Sequence, residues 1–237
     1  MPLAEICSLN SQFTSQTPRE RVRDAIDRFQ RIGVAFSGAE DIMLVDLAVK
    51  ARKEVCIFTL DTGRLHPETY RFLEKVNTHY GIQIEVLFPE GAAVERLVTE
   101  KGLYSFYKDG HTECCQIRKV APLQRKLVSL DVWMTGQRQD QSSTRKTLAA
   151  VELDTQLGED RPLIKINPLF DQRSQAVWDY IRVMELPYNP LHQQGFVSIG
   201  CEPCTRPVLP HQSAREGRWW WEEEAHKECG LHIINTP

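Results

Sequence analysis

The sequence lacks any long apolar run, and this absence excludes whole classes of protein. No stretch approaches the roughly 20 apolar residues of a membrane-spanning helix. The N-terminal MPLAEICSLNSQF has neither the basic start nor the continuous apolar core of a secretory signal. We therefore expect a cytoplasmic protein without a membrane partner.

An excess of positive charge is also missing. The formal net charge of -3 gives no general attraction to nucleic acid, so we expect no nucleic-acid partner, and any anionic ligand must be held by local basic side chains. An apolar fraction of 41% over 237 residues suffices for one sizeable core. We expect a single domain over residues 1–237, with a mobile C-terminal segment from about residue 205 to 237, and a homo-oligomer.

Segments with the spacing of strands alternate with segments of helical spacing, which predicts an α/β fold with a parallel sheet flanked by helices. The predicted strands are 31–36, 55–60, 82–88, 131–135 and 163–166. The predicted helices are 18–30, with Thr17 as its cap, 42–52, 67–80, 118–129 and 173–185, while the residues before 18 read as a polar leader. From residue 186 onward Gly and Pro recur without a period, which predicts an irregular segment over the open end of the sheet.

The loop SGAED follows the first predicted strand and precedes a helix, where backbone N–H groups and the helix N-terminus favour an anion. It lacks the spacing of a Walker A loop, and an ordinary strand-to-helix turn is an open alternative. The end of the second strand reaches the same sheet edge, where doubly wound folds bind ligands. Together they favour a nucleotide site at Ser37, Gly38, Ala39, Glu40, Asp41, Leu60 and Thr62.

Seven cysteines in a reducing compartment indicate metal binding or redox catalysis more than disulfides. Cys114–Cys115 and the CxxC pair of Cys201 and Cys204 supply four soft ligands, which suit zinc or an iron–sulfur cluster. Adjacent cysteines do not readily point at one small ion, whereas each can bind a different iron of a larger group, which favours iron–sulfur. A vicinal pair plus a separate thiol redox pair, without metal, is the alternative.

The remaining cysteines differ in their surroundings. Cys7 lies in the N-terminal leader, and Cys56 alternates with apolar neighbours in a predicted strand, where a free cysteine behaves as a small hydrophobe. Cys229 lies in ECGLH near the chain end, with His226, Lys227 and His232 nearby to lower its thiol pKa. We expect Cys229 to be the reacting thiol, with a casual surface thiol as the alternative.

Several motifs in one order resemble the assimilatory adenylyl-sulfate reductases of the iron–sulfur type, a branch of the phosphoadenosine phosphosulfate reductase family. They are SGAED, the CC pair, GxRxDQS from Gly136, CxxCTRP, AREGRWWW and ECGLH, and they span Ser37 to His232. The resemblance implies an adenine nucleotide alpha hydrolase-like sheet and a [4Fe-4S] cluster on the four paired cysteines. It also implies reduction of adenosine 5'-phosphosulfate to sulfite and AMP, for cysteine biosynthesis.

The resemblance assigns residue roles as well. Cys229 would attack the sulfur of the substrate and carry a thiosulfonate, which a separate thioredoxin would reduce, since the chain ends five residues after His232. Gln139 stands where the family often has a second arginine. The substrate would be surrounded by Lys119, Gly136, Arg138, Arg145, Arg215, Arg218 and His232.

Other functions fit part of the pattern. Reductases of the 3'-phosphorylated substrate share ECGLH but generally lack the four cluster cysteines. ATP pyrophosphatases and tRNA thiolases use a similar loop and sheet but give ECGLH no evident role. A non-enzymatic iron–sulfur redox sensor would keep its ligand response without Cys229. The triplet Trp219–Trp221 is interpreted as a packing anchor more than a base-stacking platform, because three consecutive rings cannot share one face.

Overall fold

The computed structural model describes residues 3–155, 157 and 163–223. Its strands are β1 Ile32–Ala35, β2 Cys56–Leu60, β3 Glu85–Leu87, β4 Val132–Met134, β5 Val151–Asp154 and β6 Leu163–Ile166. Its α-helices are α1 Leu3–Thr14, α2 Pro18–Arg28, α3 Ile42–Ala51, α4 Pro67–Tyr80, α5 Gly91–Lys101, α6 Phe106–Asp109, α7 Thr112–Cys115, α8 Ala121–Leu127 and α9 Ser174–Val183. A π-helical segment, Gln116–Val120, joins α7 to α8, and 3₁₀ turns occupy Gln139–Gln141, Ser143–Arg145, Pro190–Gln194 and Glu202–Cys204.

The strands form one sheet in the order β3-β2-β1-β4-β6-β5. All neighbours are parallel except β5, which pairs antiparallel with β6 at the edge. The chain moves outward from β1 to β3 and then crosses to β4 on the other side of β1. A crevice therefore opens at the carboxyl ends of β1 and β4, which is where such sheets bind ligands.

The predicted α/β class is confirmed, and several predicted elements lie close to the observed ones. Helix α4 begins at Pro67 and ends before Gly81, whose φ of 61° is the left-handed geometry of a helix C-cap. Helix α2 begins as predicted after Thr17, which forms a capping box with Glu20.

The N-terminal residues are not a polar leader, and this prediction was wrong. Residues 3–14 form α1, whose apolar side chains pack into the main core. Arg21 fixes this region, because its buried guanidinium donates to the carbonyl oxygens of Phe13 at 2.6 Å and Pro168 at 2.9 Å and forms a salt bridge with Asp171 at 2.7 Å. The part of the chain that the structure describes contains no helix long and apolar enough to cross a membrane.

Candidate active site

A cavity of about 240 Å³ lies at the carboxyl ends of β1, β2 and β4. We call it the nucleotide cavity. Its volume and its position at the strand crossover suit a small polar ligand. The predicted site residues that line it are Ser37, Ala39, Glu40, Asp41, Leu60, Thr62, Lys119, Gly136, Arg145, Arg215 and Arg218.

Two predicted contact residues lie behind this lining. Gly38 has a φ of +78°, and its carbonyl oxygen accepts a hydrogen bond from Asn189 Nδ2 at 3.1 Å. Arg138 is fully buried and forms salt bridges with Glu40 at 2.9 Å and Asp140 at 3.0 Å. Its geometry is that of a residue that positions Glu40, which does line the cavity.

The N–H groups of the SGAED loop already have an acceptor. The backbone N–H of Ser37 donates to Asp41 Oδ2 at 2.6 Å, and that of Ala39 donates to Asp41 Oδ1 at 3.1 Å. Burial raises the pKa of the Asp41 carboxyl, although these hydrogen bonds favour the ionised form. The loop therefore has the donor arrangement predicted for an anion, and its own carboxylate occupies it.

Cationic side chains gather around the ring of Trp219. The Arg218 guanidinium lies 4.5 Å from the ring centroid, Arg215 lies 5.3 Å away, and Lys119 Nζ lies 6.0 Å away. Such cation–π contacts hold flat guanidinium groups in place. All three line the nucleotide cavity, so they can present positive charge to phosphate or sulfate oxygens.

Gly200 makes this arrangement possible. A Cβ atom at Gly200 would lie 2.3 Å from Arg218 Nη2, well inside van der Waals contact. Arg218 packs over the bare glycine backbone and reaches Ser198 Oγ at 3.3 Å. Arg218 can therefore take this position only because residue 200 is a glycine.

The four paired cysteines lie together, as their spacing predicts. Cys115, Cys201 and Cys204 are buried and Cys114 is half-buried, in one apolar cluster with Phe106 and Trp219. All four line a small second cavity, here called the cysteine cavity. Its other walls are Arg64, Phe106, His111, Arg118, Lys119 and Trp219.

The electrostatics of the cysteine cavity combine buried thiols with cations. Burial and the neighbouring Cys201 raise the pKa of the Cys204 thiol to about 12, and burial raises that of Cys114. Arg118 and Lys119 oppose the shift at Cys114. Thiols bind metal as thiolates, so binding of a metal group would require these cysteines to lose their thiol protons.

No three His, Cys, Asp or Glu side chains in ranges 3–155 and 163–223 are arranged to hold a single metal ion. The donor chemistry nevertheless suits a group larger than one ion, since four soft sulfur ligands surround one cavity. Within each pair, every thiol could then bind a different metal atom. The residues present thus fit an iron–sulfur cluster better than a lone zinc.

The π-helical segment Gln116–Val120 directly follows Cys115. π-Helical bonds join residues five apart, and such segments occur frequently at functional sites. Lys119 lines both cavities, and Arg118 lines the cysteine cavity. Lys119 therefore follows Cys115 on a π-helical segment and not on a regular α-helical turn.

The two cavities share a wall. Lys119, Cys201 and Trp219 line both of them, and the Thr62 hydroxyl, in the nucleotide cavity, lies 3.2 Å from Cys201 Sγ. A ligand in the nucleotide cavity therefore lies directly beside the paired cysteines.

Three residues beside the cysteines were missed from the sequence, namely Arg64, His111 and Arg118. His111 stacks on Trp219 with centroids 4.2 Å apart, and its Nδ1 lies 2.6 Å from Glu222 Oε2. No local motif marks these residues, because they come from separate elements. The one available signal was the two basic positions, Arg118 and Lys119, shortly after the CC pair.

The tryptophan triplet packs as an anchor. Trp219 is 1% exposed, and Trp221 Nε1 donates to the carbonyl oxygen of Phe106 at 3.2 Å. Trp220 and Trp221 both contact the ring of Tyr107. Cys229 and His232, predicted as nucleophile and substrate contact, lie outside the described residues.

Comparison with curated proteins finds close relatives along nearly the whole chain. The adenosine 5'-phosphosulfate reductase of Pseudomonas aeruginosa strain LESB58 is 55% identical over 98% of this chain and 88% of its own length. The 5'-adenylylsulfate reductase 3, chloroplastic, of Arabidopsis thaliana is 50% identical over 96% of this chain. The chain spans about half (51%) of that plant protein.

Solved structures give the same fold. The phosphoadenylyl-sulfate reductase of Candida auris, solved as a phosphate complex, has a TM-score of 0.73 and 26% identity, covering 88% of this chain and 98% of that one. An FMN adenylyltransferase of Candida glabrata, solved with ATP, has a TM-score of 0.58 at 13% identity over 88% of this chain and 72% of that one, which shows the fold alone.

The family model named phosphoadenosine phosphosulfate reductase domain matches residues 31–207. This range includes the SGAED loop, all six strands of the sheet and all four paired cysteines. The resemblance inferred from the motifs is confirmed, and the chain belongs to the phosphoadenosine phosphosulfate reductase family.

Proposed function

We propose that this chain reduces adenosine 5'-phosphosulfate to sulfite and AMP in sulfate assimilation, in the cytoplasm, with thioredoxin as the electron donor. The observation that carries the proposal is the shared wall between the two cavities. A cavity lined by cationic side chains at the carboxyl ends of the strands adjoins a cavity lined by four paired thiols, and Lys119 lines both. The names of relatives that are 55% and 50% identical support the choice of reaction.

The cationic residues would bind the anionic end of the substrate. Lys119, Arg215 and Arg218 surround the Trp219 ring beside the cysteines, and Arg145 lines the same cavity. Guanidinium groups bind phosphate and sulfate oxygens through paired N–H donors, which would orient the phosphosulfate. This leaves the adenosine toward the carboxyl ends of β1 and β2.

Cys229 would supply the nucleophile. Its thiolate attacks the substrate sulfur, the bond from sulfur to the bridging oxygen breaks, and AMP leaves with that electron pair. One thiol of thioredoxin then attacks Cys229 Sγ and displaces sulfite, and its second thiol breaks the resulting mixed disulfide, which frees the Cys229 thiol and leaves thioredoxin as a disulfide, so the two electrons come from thioredoxin. The assignment of Cys229 rests on its ECGLH motif.

We propose that Cys114, Cys115, Cys201 and Cys204 hold a [4Fe-4S] cluster. The fit of four buried sulfur donors around one cavity supports it. When bound, the cluster would add its charge to the electrostatic field around Lys119.

Mass spectrometry after incubation with adenosine 5'-phosphosulfate tests the nucleophile. We expect an adduct of about 80 Da, one SO₃ group, on Cys229. Cys229→Ser should bind nucleotide and form no adduct, whereas the control Cys7→Ser, at an exposed position on α1, should form it normally. An adduct on another cysteine would exclude the assignment, and an unchanged ligand response without turnover would favour a redox sensor.

Iron and acid-labile sulfide counted on the same preparation test the cluster. We expect about four of each per chain, as a [4Fe-4S] group requires. Cys204→Ser should lose most of the iron, whereas Cys56→Ser, on β2 away from the cysteine cavity, should retain it. Equal iron in both variants would contradict the proposal.

A further inference from the structure

A group of exposed apolar side chains surrounds the start of α6. Leu103 is 57% exposed, Tyr104 is 60% exposed and Tyr107 is 40% exposed. In the part of the chain that the structure describes, no other three large exposed hydrophobic residues fall within five consecutive positions. The half-buried Trp220 extends this surface, because its ring centroid lies 6.1 Å from that of Tyr107. We call Leu103, Tyr104, Tyr107 and Trp220 the aromatic patch.

The aromatic patch is fixed to residues around the cysteine cavity. The Tyr107 hydroxyl donates a hydrogen bond to the carbonyl oxygen of Pro203, inside the CxxC turn, at 2.7 Å. Arg64, which lines the cysteine cavity, has its guanidinium 5.7 Å from the Tyr104 ring centroid and donates to the carbonyl oxygen of Leu103. A surface that is already held in place loses little conformational entropy when a partner binds, so these contacts favour binding.

The composition of the aromatic patch is that of a protein-binding surface. Tyrosine, tryptophan and arginine are the residue types enriched where protein interfaces gain most of their affinity. The patch contains two tyrosines and one tryptophan, Arg64 lies against it, and the Arg206 guanidinium lies 5.4 Å from the Trp220 ring centroid. Exposed aromatic side chains gathered in this way indicate an interaction site for another protein.

The chain leaves the described part of the structure beside this patch. Trp221 packs on Tyr107 with ring centroids 4.5 Å apart, and the Glu222 carboxylate accepts a hydrogen bond from the backbone N–H of His111 at 2.9 Å. Cys229 follows Glu222 by seven positions, a length of chain that spans at most about 25 Å. Cys229 is therefore tethered within reach of a protein that is docked on the aromatic patch.

The electron donor of the proposed function is a protein, and it has to hold its thiol against Cys229 Sγ while sulfite leaves. Redox encounters between proteins use small interfaces, in which a few aromatic contacts supply most of the affinity. A small dithiol needs no such surface, because it reaches the adduct by diffusion alone. The two kinds of reductant should therefore differ in their dependence on the patch.

We propose that the aromatic patch is the docking surface for the dithiol protein that reduces the Cys229 adduct. The inference rests on the proposed function, which supplies both the adduct and thioredoxin as its reductant. It assigns the patch to the second step alone, since sulfonation of Cys229 requires the nucleotide cavity and not this surface.

Release of sulfite from the preformed adduct tests the inference. The full chain is loaded with adenosine 5'-phosphosulfate and separated from nucleotide, and reduced thioredoxin or dithiothreitol is then added. We expect Tyr104→Ser to lower the second-order rate constant with thioredoxin about tenfold, the effect of losing one central interface contact, and to leave the rate with dithiothreitol unchanged. Val183→Ser, at a 79% exposed position at the end of α9, is the matched control and should react normally with both reductants.

Two further variants separate docking from local structure. Tyr104→Phe keeps the ring and should keep the wild-type rate with thioredoxin. Leu103→Ser keeps the backbone carbonyl that Arg64 uses, so it carries the test if Tyr104→Ser loses iron or does not fold. We expect Leu103→Ser to slow thioredoxin in the same direction and to leave dithiothreitol unaffected.

Unchanged thioredoxin rates in the folded serine variants would overturn the inference, and so would an equal loss with dithiothreitol, because the substitutions would then act on the adduct itself. A change of oligomeric state with an unchanged thioredoxin rate would assign the patch to a second copy of the chain and overturn it as well. Failure of the proposed function is distinguishable: dithiothreitol, but not thioredoxin, would then release sulfite from the wild-type adduct, or no adduct would form.

Discussion

Arg118 donates a hydrogen bond from Nη1 to the carbonyl oxygen of Thr62 at 2.7 Å. This bond ties the π-helical segment after Cys115 to the loop that follows β2. Thr62 in turn lies against Cys201, so one arginine connects the two halves of the cysteine set. The chain segments that carry these cysteines are about 86 positions apart, and contacts of this kind keep them together.

Arg118→Met should loosen this connection. The substitution keeps the stem of the side chain but leaves a buried carbonyl oxygen without its donor, which costs about 1–3 kcal/mol. We expect a lower free energy of unfolding in urea and less iron per chain. Arg96→Met, at an exposed position on α5, is the control and should change neither quantity.

Substitution of Arg138 should mainly lower the free energy of unfolding, whereas substitution of Lys119 should mainly lower substrate affinity. Arg138→Met leaves the carboxylates of Glu40 and Asp140 without their cation, and we expect a loss of about 3–5 kcal/mol in the free energy of unfolding. Lys119→Met should lower substrate affinity about tenfold. Urea unfolding and calorimetry on both variants check this contrast. A normally stable Arg138→Met protein with weak binding would instead make Arg138 a direct substrate contact.

Asp46 should stabilise the packing of three helices. Its buried carboxylate accepts hydrogen bonds from Tyr80 at 3.0 Å and Tyr180 at 2.6 Å and pairs with Lys50 at 2.7 Å. Asp46→Ala leaves two tyrosine hydroxyls unsatisfied, and we expect a loss of about 2–5 kcal/mol in urea unfolding. Asp179→Ala removes an exposed pairing on α9 and should cost under about 1 kcal/mol. Equal losses would argue against the network.

His192 should make stability depend on pH. Burial lowers the pKa of its imidazole below the ordinary 6.5, although Glu40 acts in the opposite direction. The unfolded chain then binds the proton more readily, so the stabilisation is present above about pH 6.5 and is lost as the pH falls through the folded-state pKa. Unfolding free energies between pH 7.5 and 5 should fall less steeply in His192→Gln than in the wild type. His79→Gln, on the exposed side of α4, should keep the wild-type slope.

Local signals made part of the fold predictable. The capping box at Thr17 and Glu20 marks the start of α2, and Pro67 with Gly81 marks both ends of α4. Strand β5 was missed because it is four residues long and depends on antiparallel pairing with β6. Helix α1 was missed because its stability comes from packing on distant residues more than from a strong sequence pattern.

The candidate site also has features that the sequence predicted and features that it did not. The CC and CxxC spacings were sufficient to group four cysteines, since sulfur chemistry restricts what such pairs do. The acceptor of the hydrogen bonds from the SGAED backbone N–H groups was not predictable. It is the Asp41 carboxylate, whose direction depends on packing against Gly136. Arg138 was assigned to the substrate by its motif; its guanidinium pairs with Glu40 and Asp140, and its contact with the substrate stays a prediction. The expected homo-oligomer stays a prediction.

Trp219 also limits the order in which the protein can be assembled. Its backbone N–H donates to the carbonyl oxygen of Cys204 at 3.2 Å, and Arg218 forms a β-bridge with Thr205, so the segment folds back over the cysteine cavity. The indole is 1% exposed and forms one wall of that cavity. The proposed cluster would therefore have to enter before this segment closes, so that its insertion would precede the final docking of the chain.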